Sequence, residues 1–237
     1  MKTNTTGKHH NSHSLRKGFT LIELLVVIAI IVSLAAVSSV VVGKAMKKTR
    51  SATAVSSLLE LNSMLTGMIA ENGNMPIIGE TAESPSWDAR VLEYMDLDDV
   101  EFFDNAPPKV PLKYEELFYH PSDNKKKSSK PRRTFAYFAN LSGLVIGSDI
   151  TDPGKTAIIG ERPWQNKESS HVGSSIASTM DAKKLIADPK TGKELNPSGK
   201  FNFLFVDGHV EQLTPEDSFG SGNEENPAGV WTAQEFD

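Results

Sequence analysis

The sequence predicts an α+β protein in which a long amino-terminal spine helix, membrane-spanning in its first half, packs on a small antiparallel β-sheet domain. Three observations support this fold class. An apolar run begins at Phe19, apolar residues recur at helical spacing beyond it, and short strand-like segments flank an Asp-Gly turn near the carboxyl end. The 237 residues suffice for one membrane helix and one domain of ordinary size.

The apolar run, residues 19–42, is long enough to cross a membrane. It contains no Lys, Arg, Asp or Pro, and a hydrocarbon core of about 30 Å requires about 20 such residues in a helix. Arg16 and Lys17 precede it, and no acidic residue occurs in the first 18 positions. This charge pattern predicts a cytoplasmic amino end and an extracytoplasmic domain. Four basic residues between Lys44 and Arg50 oppose that orientation.

The candidate cleavage site lies before the apolar run, between Gly18 and Phe19. A secretory signal would instead place its site after the apolar stretch. Cutting here would keep the helix and free the α-amino group of Phe19. Glu23 is a carboxylate about one turn into the segment, and such groups usually have an intramembrane partner. The freed α-amino group of an adjacent subunit is the partner we expect.

The string K-G-F-T-L-I-E-L-L-V-V-I-A-I-I, residues 17–31, resembles the amino-terminal motif of type IV prepilins and type II secretion pseudopilins. The resemblance implies a prepilin peptidase that cuts after Gly18 and methylates the new amino-terminal Phe19. It also implies that Glu23 is needed for incorporation into a filament. The alternative is an ordinary membrane anchor whose Glu23 lies near the headgroups.

Beyond the membrane, apolar residues recur at steps of three and four, which predicts an amphipathic helix continuing from the buried one. These residues are Val55, Leu58, Leu61, Leu65 and Met68. Gly73 is the expected stop, since glycine readily adopts the left-handed cap. From Phe19 to Asn72 this spine would be about 80 Å long.

The remaining elements are shorter. A helix is predicted at 88–97, a proline-rich loop at 106–111, and a helix-capable stretch at 179–187. Strands are predicted at 134–140, 144–148, 155–161, 201–206 and 210–213, the last two joined by Asp207-Gly208-His209 as a hairpin. The predicted domains are a cleaved leader (1–18), a spine (19–72), an exported domain (73–217) with a mobile insertion (166–199), and a flexible tail (218–237) whose Trp231 packs back on the domain.

Charge and cysteine content limit the function classes. Beyond position 50 there are 17 basic and 29 acidic residues, so the exported part is acidic, which argues against a nucleic-acid partner. The exception is the basic run Lys125–Lys127 with Lys130, Arg132 and Arg133, which is typical of a solvated loop. The chain has no cysteine, so no disulfide supports the domain.

A second resemblance concerns the hairpin. F-N-F-L-F-V-D-G-H-V-E-Q-L resembles the carboxy-terminal F-x-D-G-H-V module of prepilin-type proteins with a β-rich exported domain, and Y-H-P-S-D, residues 119–123, resembles their C-P-S-D segment with His120 in place of the cysteine. Carboxylates and imidazoles suit a divalent cation such as Ca²⁺ or a transition metal. The candidate ligands are Glu161, His171, Asp207 and His209, with His120 and Asp123 also eligible. Turn chemistry at Asp207 and Gly208, with His209 bonding a loop, is the alternative.

The sequence carries no nucleophile elbow, zinc-peptidase motif or phosphate loop, so we expect no enzyme. The leading interpretation is a structural subunit of a type II secretion pseudopilus or type IV pilus-like filament. The missing disulfide cysteines and the helix without proline favour the pseudopilus. The alternative is a membrane-anchored envelope protein that binds a cation or glycan through its β domain.

The resemblance also implies partners and a location. The partners are the prepilin peptidase, a cytoplasmic assembly ATPase, an inner-membrane platform, and other subunits in a homopolymer or mixed filament, besides membrane lipid. The expected location is the inner membrane, crossed once, with the carboxy-terminal domain extracytoplasmic and the chain in a filament after processing.

Overall fold

A computed structural model describes residues 18–79, 86–95, 101–103, 106–109, 116–118, 120–122, 133–162, 182–187 and 198–233. The chain divides into two compact units, Met1–Met46 and Lys47–Asp237. Helix α1 (Leu21–Asn72) contributes to both units. This helix and a four-stranded antiparallel sheet confirm the predicted α+β class.

The described part of the first unit is the amino-terminal portion of α1, and its described side chains are exposed on every side. Leu21 is 84% exposed and Ile31 is 58% exposed. A helix that is apolar all round suits a surrounding hydrocarbon phase, because a soluble core would cover only one face. Within the described residues, α1 is the one helix that is long and apolar enough to cross a membrane.

In the second unit, α1 presents a narrow buried stripe. Ala54, Leu58, Leu61 and Leu65 are almost completely buried, whereas the neighbouring Leu59 is 44% exposed. The three- and four-residue spacing places the buried side chains on one helix face, as the sequence predicts. The helix ends at Asn72, and Gly73 adopts φ 76° while its N–H donates to the Ile69 carbonyl at 2.8 Å. This is the glycine cap that the sequence predicts.

The four strands of the sheet are β3 (Phe135–Tyr137), β4 (Ala157–Glu161), β5 (Phe201–Phe205) and β6 (Val210–Leu213). They lie in the order β3-β4-β5-β6, with every neighbouring pair antiparallel. Phe203, in the middle of β5, lies opposite Gly160 on one side and opposite Glu211 on the other. The predicted hairpin is therefore present, with Asp207-Gly208-His209 between its strands.

Strand β5 is buried on both faces. Its Asn202 lies on the face toward α1, because the Gln212 amide donates to the Asn202 side-chain oxygen at 2.9 Å and reaches the Ser51 hydroxyl at 3.5 Å. Side chains alternate along a strand, so Phe201, Phe203 and Phe205 point to the opposite face. Phe203 there approaches the Phe138 ring, with 6.4 Å between centroids.

Residues near the carboxyl end cover this phenylalanine face. Helix α4 (Pro215–Ser218) is capped by Thr214, and Phe219 and Trp231 beyond it are buried. The Trp231 ring lies edge-on to Phe138 at 4.8 Å, and its N–H donates to the Ser218 hydroxyl at 3.1 Å. Trp231 therefore packs back on the domain, as the sequence predicts, whereas the burial of Phe219 differs from the flexible tail predicted for residues 218–237. The Gly-, Ser- and Glu-rich composition does not reveal that the β5 phenylalanines need a cover.

Two predictions of local structure are wrong. Residues 106–111 were expected to form a loop, but β2 (Ala106–Lys109) pairs antiparallel with β1 (Glu101–Phe103). In this two-stranded sheet each strand has one neighbour, and such edge strands tolerate proline. The strand predicted at 144–148 is instead a turn with a single bridge, because the Asp149 carboxylate accepts the Val145 N–H at 2.9 Å.

Helix α2 spans Trp87–Tyr94, close to the helix predicted at 88–97. Helix α3 (Ala182–Ala187) falls within the helix-capable stretch. The rest of the predicted insertion, except its last two residues, and the basic run up to residue 132 lie outside the described residues. The leader before Gly18 lies outside them as well.

We expect Leu61→Ala to lower the free energy of unfolding by about 2–5 kcal/mol, because it leaves a cavity between α1 and the sheet. Leu59→Ala is the matched control and should cost less than about 1 kcal/mol, since Leu59 is exposed. Urea unfolding of the full-length protein in detergent micelles measures both. Equal effects of the two substitutions would contradict the assignment of the buried stripe.

Candidate functional site

The start of α1 is held by reciprocal hydrogen bonds between Thr20 and Glu23. The Glu23 N–H donates to the Thr20 hydroxyl oxygen at 3.3 Å, while the Thr20 N–H and hydroxyl both donate to the Glu23 carboxylate at 2.8 Å. Thr20 directly precedes the first helical residue, Leu21. This arrangement is a capping box, which satisfies amide groups that a helix start otherwise leaves without acceptors.

The capping box gives Glu23 a partner within its own chain before any cleavage. From the sequence, the expected partner of Glu23 was the freed α-amino group of a processed subunit. The spacing T-x-x-E before an apolar run is a known signal for a capping box, and it was missed. Gly18 and Phe19 lie outside the helix, and both are exposed. The peptide bond between them is therefore sterically open to an enzyme.

The Asp207-Gly208-His209 segment forms a compact turn. The Asp207 carboxylate accepts the His209 N–H at 3.1 Å and contacts the His209 ring nitrogen Nδ1 at 2.6 Å. The ring of His209 stacks on Phe205 with centroids 4.1 Å apart. Burial raises the pKa of Asp207, but the hydrogen bonds and charge of His209 outweigh this effect, so the pKa lies below its usual value.

Gly208 holds this turn against α1. It adopts φ 95°, which favours glycine, and a Cβ at this position would lie 2.7 Å from the side-chain nitrogen of Asn62. Any other residue at position 208 would be strained by the positive φ and would displace the Asn62 side chain, so glycine is favoured where the hairpin approaches the helix. Asp207, Gly208 and His209 each have a role in building and placing the turn.

The structure does not bring Glu161 together with Asp207 and His209. Glu161 ends β4 and is fully buried, where its carboxylate accepts the Asn202 N–H at 2.9 Å and the Asn202 amide at 2.5 Å. Asn202 is the second residue of β5, whereas Asp207 follows the other end of that strand. The residues are thus at opposite ends of the β4–β5 pair.

The other predicted ligands give no cation site within the described residues. His171 and Asp123 lie outside them. Among the residues that the structure describes, no group of three or more His, Asp or Glu side chains is arranged to hold a metal ion. A cavity of about 380 Å³ beside the turn is lined partly by Asp152, Glu211 and Asp217, but Lys155 bonds Asp152 at 3.1 Å.

His120 lies in the domain interior next to Glu161. Its Nδ1 accepts the Ser122 N–H at 3.0 Å, so the proton of the neutral ring is assigned to Nε2, which lies 3.6 Å from the Glu161 carboxylate. The backbone N–H of His120 donates to the Thr134 hydroxyl. His120, at the position of the cysteine in the C-P-S-D segment, thus contributes hydrogen bonds to the core.

A second buried polar group surrounds Asp88. The Nε of Arg133 lies 2.6 Å from the Asp88 carboxylate, the Ser86 hydroxyl also donates to it, and the guanidinium lies 4.6 Å from the Phe118 ring centre. The prediction that Arg133 belongs to a solvated loop is therefore wrong. Burial lowers the pKa of the nearby Arg162 to about 10, with Asp88 opposing the shift and Arg133 adding to it.

Comparison with known proteins gives one match. Residues 13–39 match the family described as the prokaryotic N-terminal methylation motif. The match supports a prepilin-type or pseudopilin-type protein, which is in general processed by a peptidase and assembled with other pilin subunits. Together with the apolar helix, it fits membrane anchoring. No curated protein and no solved structure matches the chain, so the F-x-D-G-H-V resemblance remains a prediction.

We expect Thr20→Ala to fray the start of α1, because it removes the hydroxyl that accepts the Glu23 N–H. Amide hydrogen exchange at residues 21–24 in detergent micelles should accelerate by about fivefold. Thr20→Ser should restore protection. Ser33→Ala removes a hydroxyl from the same helix that only bonds the Ile30 carbonyl, and it should leave these amides unchanged. Unchanged exchange in Thr20→Ala would refute the capping box.

We expect Asp88→Asn to destabilise the domain by about 3–5 kcal/mol at pH 7, because it removes the carboxylate that pairs with the buried Arg133 guanidinium. Glu93→Gln breaks the exposed pair with Arg90 and should cost less than about 1 kcal/mol. Urea unfolding of both variants and the wild type gives the comparison. Similar small losses in the two variants would show that the Asp88 pair does not stabilise the fold.

The free energy of unfolding should also depend on pH through the ionisation of Asp88. Burial raises the pKa of Asp88, but the charge of Arg133 and the hydrogen bonds from Ser86 and Arg133 outweigh it, so the folded pKa lies below its usual value. The stability due to ionised Asp88 is therefore present above the unfolded pKa, about 3.9, and is lost as the pH falls through the folded pKa. As the pH falls, the free energy of unfolding should therefore decrease less in Asp88→Asn than in the wild type, which urea unfolding at a series of pH values measures.

Proposed function

We propose that this chain is a structural subunit of a type II secretion pseudopilus or a type IV pilus-like filament, cleaved between Gly18 and Phe19 and assembled through α1. The observation that carries the proposal is one continuous stretch of sequence. The methylation motif at residues 13–39 coincides with an exposed scissile bond, a capped helix start and a helix that is apolar on every side. Lipid or neighbouring helices can cover such a helix.

The proposed mechanism is polymerisation rather than catalysis. The membrane holds the unassembled subunit, with lipid covering the side chains of the apolar segment. In the filament, the same side chains would pack against α1 of neighbouring copies. Cleavage frees the α-amino group of Phe19, which can then replace Thr20 as the partner of a neighbouring Glu23. A buried charge pair of this kind would favour one register between subunits, because any other register leaves the carboxylate without a cation.

Contacts within the second unit support a filament subunit over an anchored binder. Leu61 belongs to the same buried core as the strands, Gly208 lies close to Asn62, and Gln212 bonds Ser51. The domain is therefore built on the helix and not suspended from it by a linker. Packing between helices would then fix the positions of the domains, whereas a tethered binder gains reach from a flexible connection.

The proposed partners act on the chain in trans. They are the prepilin peptidase, a cytoplasmic assembly ATPase, an inner-membrane platform and other subunits of the same or mixed type. The proposed location is the inner membrane with the amino end cytoplasmic. The chain has no cysteine, and residues 19–42 contain no proline. Both absences favour the pseudopilus over a surface pilus, since disulfides are common in exported pilins.

The first test is the intact mass and amino-terminal sequence of the protein purified from its own membranes. The proposal expects a chain that begins at methylated Phe19. Gly18→Val should leave the chain beginning at Met1, and it should do so without a folding defect, because a Cβ at position 18 meets no atom within 4 Å. A wild-type chain beginning at Met1 would instead support the membrane-anchored binding protein.

The second test separates assembly from anchoring. Glu23→Ala should be cleaved and reach the membrane but be absent from sheared filaments. Glu60→Ala removes an exposed carboxylate from the same helix outside the apolar segment, and it should assemble like the wild type. Normal incorporation of Glu23→Ala would contradict the proposed assembly role, while loss of both variants would point to a general charge requirement.

A further inference from the structure

Helix α1 carries three cations just before it meets the sheet. We call Lys47, Lys48 and Arg50 the basic band; the two lysines are exposed and the arginine is half-buried. The sequence has no carboxylate between Glu23 and Glu60. Within the described part of the chain, none of the three forms an ion pair. The band is therefore a concentrated positive charge without a counter-charge of its own.

The band continues the stripe that packs on the sheet. Lys47, Arg50, Ala54, Leu58 and Leu61 follow one another at steps of three and four, so they share one face of the helix. From Ala54 onward this face is buried, and at Ser51 the sheet reaches it through Gln212. Lys47 lies one turn before that contact and is exposed. The cations thus occupy the end of a face whose remainder is covered by the domain.

The position of the band along the chain matches the headgroup layer of a membrane. The apolar run ends at Val42, and five to eight further residues correspond to about 8–12 Å of helix. The headgroup region adds about 5–8 Å to each side of the hydrocarbon core. Lys and Arg side chains extend several ångströms and direct their charged ends toward such a layer. The band is therefore within reach of phosphate groups when the apolar segment spans the bilayer.

We propose that the basic band binds the phosphate headgroups of anionic phospholipids at the surface where α1 leaves the membrane. Ammonium groups bind phosphate as compact charges, and a guanidinium such as Arg50 can bind two phosphate oxygens. The alternative occupant is the acidic surface of a second copy. Lipid is favoured because headgroup phosphates lie at this depth around every membrane-spanning copy. The band would hold the helix at a fixed depth.

The test measures lipid preference in the full-length protein. The protein is reconstituted in phosphatidylcholine vesicles that contain spin-labelled phosphatidylglycerol or spin-labelled phosphatidylcholine. Electron paramagnetic resonance then gives the relative association constant of the two lipids. Each cation near an anionic surface strengthens association by about fivefold. We expect the wild type to prefer phosphatidylglycerol, and Lys47→Gln/Lys48→Gln to lose at least threefold of that preference.

The matched control is Lys155→Gln/Lys183→Gln, which changes the net charge equally at two exposed lysines elsewhere in the domain. It should keep the wild-type preference, as should Lys47→Arg/Lys48→Arg, which preserves the charge at the band. The leader is unchanged in all variants, so its lysines cannot produce a difference. The preference should also weaken in 1 M NaCl, where the screening length is about 3 Å.

Three results would overturn the proposal. The first is an unchanged lipid preference in Lys47→Gln/Lys48→Gln. The second is an equal loss in this variant and in the control, because the effect would then follow net charge and not position. The third is a preference that inorganic phosphate abolishes at constant ionic strength, because the band would then bind free anions. Processing and filament assembly do not enter the measurement, so failure of the proposed function would leave it unaffected.

Discussion

Helix α1 must suit two different environments, lipid in its first part and a protein core in its second, and the arrangement of its apolar residues reflects that constraint. Up to Val42 the side chains are apolar around the whole circumference, which suits lipid. From Ala54 onward the buried residues form a single stripe, because the rest of the domain covers only one face of the helix there. The short cationic segment between the two regions lies where neither hydrocarbon nor core is available. The sheet domain depends on the second region, since the stripe contributes to its core.

The domain core is unusual in containing several buried charges and no disulfide. One buried group joins Asp88 and Arg133, and another joins Glu161, Asn202 and His120. Apolar side chains of similar size at these positions would avoid the cost of desolvation. Such pairs contribute little net stability, but each is costly to separate. Because their partners lie far apart in sequence, they favour one arrangement of the chain segments over others. This role is one that a disulfide performs in many small exported domains.

Local patterns in the sequence were sufficient for α1 and the hairpin, because helical periodicity and an Asp-Gly turn are short-range signals. Features that depend on distant partners could not be predicted. Arg133 resembles its basic neighbours in sequence, and only Asp88, 45 residues away, accounts for its burial. The packing of Trp231 on the domain was expected, but its partners, the Phe138 ring and the Ser218 hydroxyl, were not. The capping box at Thr20 is different, since its signal was local and was interpreted only as part of a processing motif.

The predicted cation site illustrates why correct chemistry in the sequence does not establish a site. Glu161 and Asp207 have suitable carboxylates, but antiparallel pairing of β4 and β5 places them at opposite ends of the same pair of strands. Residue types alone do not predict the register in which β4 and β5 pair. The His209 ring stacks on Phe205, and its Nδ1 contacts the Asp207 carboxylate.

The packing of Trp231 has a consequence for the order in which the domain can fold. This residue follows all four strands of the sheet in the sequence, yet its ring completes the cover over Phe138 and Phe219. A chain that emerges from its amino end delivers Trp231 last. Until then the sheet has an uncovered aromatic face and the native core cannot close. The domain can therefore close its core only after residue 231 has joined the four strands.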